Sequence, residues 1–252
     1  MKRLLVREND GLLAELAGSN VLLAFDFDGT LAPIVRDRED AAMRPRTAEL
    51  FGRLCALYPC AVISGRSKAD VSARLAGAEV KYVVGNHGLE AGGELGDFER
   101  EVTRARPLLA AALADQVGLD LEDKQYSLAV HYRHARHKRT AREVINRAVS
   151  RLPVPMRLVP GKLVVNVVPA SAAHKGDALL TLWALAGTSA ALYVGDDATD
   201  EDVFKLEQPG KLLTARVGAS KTSHADYALR DQREIDALLA RLVGLRAERA
   251  RR

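Results

Sequence analysis

The sequence VLLAFDFDGT, residues 21–30, is an apolar run that ends in two carboxylates one residue apart. Five consecutive apolar residues predict a strand that is covered on both faces, as in a parallel sheet between helices. Asp26 and Asp28 follow at the carboxyl end of this strand, where open α/β sheets form their ligand crevice, and Gly29 allows a tight turn. If the chain stays extended there, the two carboxylates crowd each other, and a cation would relieve the repulsion. The alternative is an ordinary turn, because Asp and Gly are common turn residues.

The same order of apolar strand, polar tip and helix recurs along the chain. Three further strands are predicted at residues 59–64, 80–84 and 190–195. This repetition predicts an α/β fold with a doubly wound, Rossmann-like parallel sheet. This repeated order of elements is interrupted at residues 98–169. We therefore predict a core formed by residues 1–97 and 170–252, with a smaller α/β cap domain inserted between them.

Within this insertion the pattern predicts one helix, one strand, a second helix and a hairpin. These elements are expected at residues 98–118, 125–133, 140–152 and 157–169.

The composition argues against a nucleic-acid partner. The 252 residues are 48% hydrophobic and only 5% aromatic, and 37 basic residues nearly balance 33 acidic ones. Part of the basic excess lies at residues 246–252. Cations interact favourably with the carboxyl end of a helix dipole, so this stretch is expected to be a solvated helix end. No recognition motif for nucleic acid is evident.

The sequence also lacks signals for export or membrane insertion. Residues 1–10 have no apolar core of a signal peptide, and no apolar run is long enough to span a bilayer. The spacing of Cys55 and Cys60 fits neither a CxxC redox pair nor a zinc site, so they are expected to be small core residues in a reducing compartment. We therefore expect a cytoplasmic protein with no membrane partner.

Two polar residues stand where a phosphate could bind. Ser64 ends a predicted strand, and its hydroxyl and the amide of Gly65 can donate to a phosphoryl oxygen; helix capping is an equally good explanation of the serine. Lys175 precedes a predicted helix, where a cation is unfavourable with the helix dipole. A lysine that holds a phosphate and pairs with Asp26 would explain that position better than a structural role.

A second acidic cluster follows the strand at residues 190–195. The sequence YVGDDATDED, residues 193–202, places five carboxylates within seven positions. Such a cluster repels itself unless a cation lies among the carboxylates. The spacing lacks the central Gly and distal Glu of an EF-hand calcium loop, whereas Mg²⁺ takes a few carboxylates and completes its shell with water and phosphate. A solvated acidic loop is the remaining alternative.

In order, these stretches resemble the four motifs of the haloacid dehalogenase-like phosphatases. The resemblance implies that Asp26 is the nucleophile and that Asp28 is first a general acid and then a general base. It implies that Ser64 and Lys175 hold the phosphoryl group. In these roles Asp28 releases a proton to the leaving group and then accepts one from water.

The same resemblance implies a Mg²⁺ cofactor. Its ligands would be Asp26, the backbone carbonyl of Asp28, and Asp196, with Asp200 as a further or water-mediated ligand.

Other stretches resemble the trehalose-6-phosphate phosphatases more specifically, namely GNHGLE at residues 85–90, LEDKQYS at 121–127 and HYR at 131–133. This resemblance implies a Mg²⁺-dependent phosphoric monoester hydrolase that converts trehalose 6-phosphate, a small sugar phosphate, to trehalose and phosphate through an aspartyl phosphate. It assigns sugar recognition to Glu122, Lys124 and Lys162. Other substrate contacts are expected from Gly65, Arg66, Asn86, His87, His131, Arg133 and Asn166. A trehalose-6-phosphate synthase partner is not readable from the residues.

One position departs from that family's pattern. The family has Gly-Lys, three residues and then Glu, whereas here Gly161 and Lys162 lead to Asn166. Asn loses the charge and can donate as well as accept a hydrogen bond. The open alternatives are a same-fold phosphatase for another sugar phosphate, such as a glucosylglycerate or pseudo-disaccharide phosphate, and a catalytically silent sugar-binding module.

His131, His134 and His137 recur at every third residue and could suggest a metal site. The surrounding arginines and lysine would repel a cation, so a basic loop is the preferred interpretation.

Overall fold

The computed structural model describes residues 1–91, 95–161 and 163–251. Its contacts divide the chain into two compact units. The first unit comprises Met1–Ala91 and His174–Arg252, and the second comprises Gly92–Ala173. The insertion expected at residues 98–169 falls within the second unit, and its role as a substrate-recognition cap stays a prediction.

The strands, in chain order, are β1 (Lys2–Arg3), β2 (Val21–Phe25), β3 (Cys60–Ile63), β4 (Tyr82–Val84), β5 (Asp120–Asp123), β6 (Leu128–His131), β7 (Met156–Gly161), β8 (Val164–Pro169), β9 (Ala190–Gly195), β10 (Leu212–Val217) and β11 (Tyr227–Leu229). The α-helices are α1 (Asp10–Gly18), α2 (Pro45–Cys55), α3 (Lys68–Ala73), α4 (Leu95–Leu113), α5 (Lys138–Val149), α6 (Lys175–Ala186), α7 (Glu201–Phe204) and α8 (Ile235–Ala250). Short 3₁₀ segments lie at Arg7–Asn9, Arg38–Asp40, Asn86–Ala91, Ala198–Asp200 and Gln232–Glu234.

The first unit is built on a seven-stranded sheet in the order β1-β11-β10-β9-β2-β3-β4. All of its paired strands are parallel. Successive residues of β2 point into opposite layers: Leu23 and Phe25 pack with α1, α2 and α8, whereas Leu22 and Ala24 pack with α6. A strand covered on both faces must be apolar throughout, which is why residues 21–25 form an unbroken apolar run. The predicted α/β class is confirmed.

The strand order of this sheet reverses between β2 and β9. From β2 the chain proceeds to β3 and β4 on one side, and from β9 it proceeds to β10 and β11 on the other. Such a reversal opens a crevice at the carboxyl ends of the two central strands. The segments that begin with Asp26 and Asp196 both leave the sheet at this point.

The second unit contains a four-stranded antiparallel sheet in the order β5-β6-β8-β7. Its apolar face packs against α4 and α5 through residues such as Val130, Val167, Leu109 and Ile145. The order of elements is therefore helix, two strands, helix and two strands, and the predicted single strand between the helices was wrong. Residues 120–123, Asp-Leu-Glu-Asp, form an edge strand with one apolar side chain, so they lack the pattern that identifies a strand.

Several boundaries also differ from the expectation. Helix α4 begins at Leu95 and ends at Leu113, not at residues 98 and 118, and it accommodates Pro107. Strand β6 is limited to Leu128–His131, because a tight turn occupies the residues between β5 and β6. Within the described ranges, none of the helices combines the length and apolar composition needed to cross a bilayer.

Phe51 of α2 provides a test of the packing beneath β2. Its ring lies edge-on to Phe25, with centroids 5.7 Å apart, and it has no solvent-exposed surface. We expect Phe51→Ala to lower the free energy of unfolding by about 3–5 kcal/mol, because the change leaves a cavity in the core. Urea denaturation followed by circular dichroism would measure the loss. Leu57→Ala, at a partly exposed position, should cost less than about 1 kcal/mol. Equal losses in both variants would contradict this account of the core.

Candidate active site

Asp26 lies at the end of β2 with only 4% of its surface exposed. Its backbone N–H donates to the carbonyl of Val194 in β9 at 2.8 Å, which joins the ends of the two central strands. Gly29 has φ of 89°, and an added Cβ would lie 2.1 Å from Asp196 Oδ2. The glycine is therefore required both by the backbone conformation and by the close approach of the second acidic segment.

Lys175 connects the two acidic segments. Its Nζ donates to Asp26 Oδ1 at 2.8 Å and to Asp200 Oδ1 at 2.7 Å, and the side chain is buried. Burial by itself would lower the pKa of Lys175, but the charges of Asp200 and Asp26 outweigh it and raise the pKa well above its usual value. The ammonium therefore stays charged at neutral pH, and its ion pairs explain why a lysine occupies the first turn of α6.

Burial has the opposite effect on the pKa of Asp26, because it disfavours the charged form of an acid. It raises the pKa of Asp26 well above the ordinary value, while Lys175 lowers it and the neighbouring Asp200 raises it further. An additional cation close to Asp26 would thus be needed to favour the ionised, nucleophilic carboxylate.

Asp200 organises the loop that follows β9. Its Oδ1 accepts from Lys175 and from the Tyr193 hydroxyl at 2.7 Å each, and its Oδ2 accepts from the N–H groups of Asp196 and Asp197 at 2.8 Å each. A Cβ on Gly195 would meet this carboxylate at 2.3 Å. With four donors around it, Asp200 has fewer lone pairs left for a metal ion than its neighbours, and its assignment as a ligand stays a prediction.

Asp196 is the carboxylate of this group that has a buried oxygen without a hydrogen-bond donor in the described part of the chain. Its Oδ1 is buried and, among the residues that the structure describes, no donor reaches it. Burial and the charges of Asp200 and Asp197 raise the pKa of Asp196 to about 7. Buried acceptors usually have a partner, so an unpaired carboxylate oxygen at this place suits an ion or water.

The donor set fits a hard divalent cation. Carboxylate oxygens of Asp26, Asp196 and Asp200 lie within 4.8 Å of one another. These three acids face the buried Lys175, so the group retains excess negative charge that Mg²⁺ would balance, and oxygen is the ligand atom that Mg²⁺ prefers. This is the only group of three or more potential His, Cys, Asp or Glu metal ligands among the described residues, and the histidines at positions 131, 134 and 137 form no such group.

Arg66 forms a bidentate ion pair with Asp28. Its Nε donates to Asp28 Oδ2 at 2.7 Å and its Nη2 to Asp28 Oδ1 at 2.8 Å, while its Nη1 donates to Asp70. Burial would lower the pKa of Arg66, but the hydrogen bonds and charges of Asp28 and Asp70 outweigh it and raise the pKa. Both oxygens of Asp28 are thus used as acceptors here. The predicted substrate contact of Arg66 stays a prediction.

Ser64 is buried at the end of β3, and its Oγ accepts from the N–H of Arg66 at 3.1 Å. The helix that follows is capped by Ser67, which accepts from the N–H of Asp70, so Ser64 is not the helix-capping residue. Gly65 lies against His87, whose ring an added Cβ would approach to 2.4 Å.

Asn86, His87 and Gly88 are consecutive residues with positive φ values of 50°, 60° and 108°. A Cβ on Gly88 would meet the carbonyl of His174 at 2.5 Å, so this turn packs directly on the start of α6, which carries Lys175. Strained backbone of this kind is common at functional sites. The substrate contacts assigned to Asn86 and His87 are untested.

The second unit brings together most of the residues expected to recognise the sugar. Glu122, Ala129 and Asn166 are register partners on β5, β6 and β8, so their side chains point to one face of the sheet. His131 Nε2 lies 2.8 Å from Glu122 Oε2, and Lys124 Nζ donates to Asn166 Oδ1 at 3.2 Å.

Two other residues were predicted to belong to this group, Arg133 and Lys162. Arg133 is half-buried after β6, and its carbonyl accepts from Lys138. Lys162 lies outside the described residues. None of these substrate assignments is tested.

Comparison with known proteins identifies the family. The sequence pattern of the trehalose-phosphatase family matches residues 24–233. The chain is 31% identical to a probable trehalose-phosphate phosphatase 9 of Oryza sativa subsp. japonica, over 93% of this chain and 72% of that protein. The chain belongs to the trehalose-phosphatase family. A Mycobacterium tuberculosis trehalose-phosphate phosphatase is 34% identical over 79% of this chain and 54% of its own length.

The fold is shared as well. The C-terminal domain of a C. albicans trehalose-6-phosphate phosphatase has a TM-score of 0.76, with 22% identity over 94% of this chain and 97% of that one. The predicted family and enzyme class, a phosphoric monoester hydrolase, are confirmed.

Two residues of the site escaped the sequence reasoning. Tyr193 supports Asp200 from within β9, and Arg216 of β10 contacts the backbone of the acidic loop. A hydroxyl-bearing side chain in an otherwise apolar strand was the available signal for Tyr193, because a buried tyrosine needs a hydrogen-bond partner. Arg216 carries no such signal.

The raised pKa of Asp196 predicts how the stability of the metal-free protein depends on pH. Its carboxyl ionises near 3.8 in the unfolded chain and near 7 in the folded one. Between about pH 4 and 7 the folded state therefore binds more protons, and the free energy of unfolding falls as the pH rises. Asp26 acts with the same sign because its pKa is also raised.

The prediction is tested by urea unfolding in the presence of a chelator. Asp196→Asn should flatten the decrease between about pH 4.5 and 7.5, because the amide does not titrate. Glu49→Gln, at an exposed position of α2, is the control and should keep the parent slope. A slope in Asp196→Asn as steep as that of the parent would contradict the assignment.

Proposed function

We propose that this protein hydrolyses trehalose 6-phosphate to trehalose and phosphate, using Mg²⁺ and a covalent phosphate on Asp26. The observation that carries the proposal is the convergence of Asp26, Lys175 and Asp196 at the switch point of the parallel sheet. The names of the family and of its plant and mycobacterial relatives support trehalose 6-phosphate as the substrate.

The first requirement is to bring a dianionic ester to a carboxylate. A phosphate monoester repels Asp26, so the site must neutralise both groups before they approach. Lys175 supplies one positive charge and Ser64 a hydroxyl donor. Mg²⁺ held by Asp26 and Asp196 would supply the remaining positive charge and orient the phosphoryl oxygens.

In the first chemical step, an Asp26 oxygen forms a bond to phosphorus while the bond from phosphorus to the sugar oxygen breaks. Asp28 gives the departing sugar oxygen a proton. In the second step, Asp28 takes a proton from water as the water oxygen attacks phosphorus, and the Asp26–phosphorus bond breaks. Asp28 suits a residue that exchanges protons with water, because its side chain is 35% exposed whereas that of Asp26 is 6% exposed.

Arg66 is expected to control the position and protonation of Asp28. A carboxyl that holds a proton has lost its negative charge and one lone pair, so it accepts the two hydrogen bonds of a guanidinium fork less well than a carboxylate does. The fork is therefore expected to loosen before Asp28 protonates the leaving group.

Phosphate release from trehalose 6-phosphate tests the proposed function. We expect turnover with Mg²⁺, none in chelator, and a loss of about 10³-fold or more in Asp26→Asn, since the amide is not a nucleophile. Glu49→Gln should retain full activity. Equal turnover by Asp26→Asn and the parent would remove the assigned nucleophile, and turnover confined to other sugar phosphates would remove the assigned substrate.

The covalent step has its own signature. p-Nitrophenyl phosphate has a good leaving group, so the first step needs less help from a general acid. We expect Asp28→Asn to release nitrophenol in a burst of about one equivalent per protein, followed by slow turnover as the phosphate remains on Asp26. A linear time course without a burst, at the same low rate, would count against separate steps.

Asn166 favours a second candidate, a phosphatase for another sugar phosphate. Its amide both accepts from Lys124 and donates to the carbonyl of Val159, at 3.2 and 3.4 Å. A glutamate here would place a negative charge beside that lysine and would lose the donor. A neutral amide is therefore more compatible than a carboxylate with an acidic sugar, such as a glucosylglycerate phosphate.

Asn166→Glu distinguishes the two candidates. We expect the substitution to lower the ratio of kcat/KM for a glucosylglycerate phosphate to that for trehalose 6-phosphate by about tenfold, because like charges repel. Asn166→Gln, which keeps the amide, is the matched control and should change this ratio less. An unchanged ratio in Asn166→Glu would show that position 166 does not read the charge of the sugar.

A further inference from the structure

Arg216 lies beside the acidic loop but belongs to none of the four motifs. It is on β10, and its register partner across the parallel pairing with β9 is Gly195, the residue before Asp196. The strand pairing therefore brings a guanidinium to the start of a loop that has five carboxylates within seven positions. Lys175 meets this cluster at Asp200, and Arg216 reaches it at the backbone and at the Glu201 side chain.

The first two residues of the loop, Asp196 and Asp197, are each held at both their N–H and their carbonyl groups. Arg216 Nη1 donates to the carbonyl of Asp197 at 3.2 Å, and Nη2 donates to the carbonyl of Asp196. The N–H groups of the same two residues donate to Asp200 Oδ2. Because the backbone of Asp196 is fixed on both sides, its Cα–Cβ direction is fixed too. Its carboxylate is thereby kept close to that of Asp26.

Arg216 is held in place by Glu201, the first residue of α7. Glu201 Oε1 lies 3.3 Å from Arg216 Nη1, and its Oε2 accepts from the backbone N–H and the ring Nδ1 of His224 at 2.9 and 3.2 Å. Both the Arg216 and Glu201 side chains are less than one-fifth exposed. The contact is thus a partly buried, charge-assisted one with defined geometry, unlike the mobile ion pairs of a protein surface.

We propose that Arg216 is a positioning residue for the metal site, which holds the backbone of Asp196 and Asp197 so that the Asp196 carboxylate faces a divalent cation. The inference rests on the metal part of the proposed function and adds a residue to it. Groups that orient a metal ligand in this way typically change metal affinity by about 10- to 100-fold when they are removed. Arg216 itself contacts neither the phosphate nor the cation in this account.

Binding of Mn²⁺, followed by electron paramagnetic resonance of the free ion, tests the proposal without turnover. Mn²⁺ is chosen because it accepts the same oxygen ligands as Mg²⁺. We expect Arg216→Ala to weaken Mn²⁺ binding by about 10- to 100-fold. Arg216→Lys should be intermediate, because lysine keeps the charge but lacks the planar fork that meets two carbonyls. Arg53→Ala, at an exposed arginine of α2, should bind Mn²⁺ like the parent.

The kinetics should separate positioning from a general loss of structure. At saturating Mg²⁺, Arg216→Ala should recover most of the parent kcat, with an unchanged KM for trehalose 6-phosphate, because the defect lies in metal affinity. Parent-like Mn²⁺ affinity in Arg216→Ala would overturn the proposal, whatever the change in melting temperature.

A second variant keeps the proposal testable if Arg216→Ala does not fold. Glu201→Gln removes the charge that holds Arg216 and preserves the size of the side chain, and it should weaken Mn²⁺ binding in the same direction. Parent-like binding in this variant would overturn the proposal. A parent protein that binds no Mn²⁺ would overturn the metal site as a whole. The binding measurement involves no sugar phosphate, so a wrong substrate would not affect it.

Discussion

Lys175 carries the charge on which the candidate active site depends. Asp26 and Asp200 are almost fully buried, and each carboxylate would cost several kcal/mol to transfer from water without compensation. The lysine occupies the first turn of a helix, where the dipole disfavours it, and its two ion pairs offset that cost and part of the cost of burying the carboxylates. The ends of β2, β9 and α6 are thus held together by one buried ammonium group. The fold and the site share this interaction.

A single lysine does not neutralise the site. Asp196 adds a third carboxylate whose Oδ1 has no donor within the described part of the chain, and its raised pKa reflects the burial and the neighbouring negative charge. A divalent cation bound at the proposed metal site would remove the energetic cost of this arrangement. Metal binding would then be linked to stability through the same oxygen atoms. Asp200 accepts hydrogen bonds from Tyr193 and from two backbone N–H groups and so holds the loop, which leaves Asp26 and Asp196 as the main ligands of the proposed ion.

The two units of the chain differ in the chemistry that their sheets present. In the first unit both faces of a parallel sheet are covered, and polar groups occur at strand ends, where they meet at a point. In the second unit one face of an antiparallel sheet is apolar, and the row that contains Glu122 and Asn166 lies on the other. Carboxylate, amide and ammonium groups spread over a sheet face suit a ligand with many hydroxyls. This difference supports the proposal that the first unit carries catalysis and the second carries sugar recognition.

The sequence alone determined the central strands and pointed to Asp26, the proposed nucleophile. Residues 21–25 and 190–195 form strands with the bounds expected from their apolar runs, because a strand buried on both faces has a local and nearly unambiguous pattern. The acidic residues that follow these strands could also be recognised in the sequence. Strand β5 could not be predicted, because an edge strand with one apolar residue resembles a loop. Only the tertiary structure decided that Arg66 pairs with Asp28 and that Arg216 supports the acidic loop, because these contacts join residues 38 and 20 positions apart. The partner of a charged side chain cannot be identified from the sequence around it. It depends on which strand ends the fold brings together.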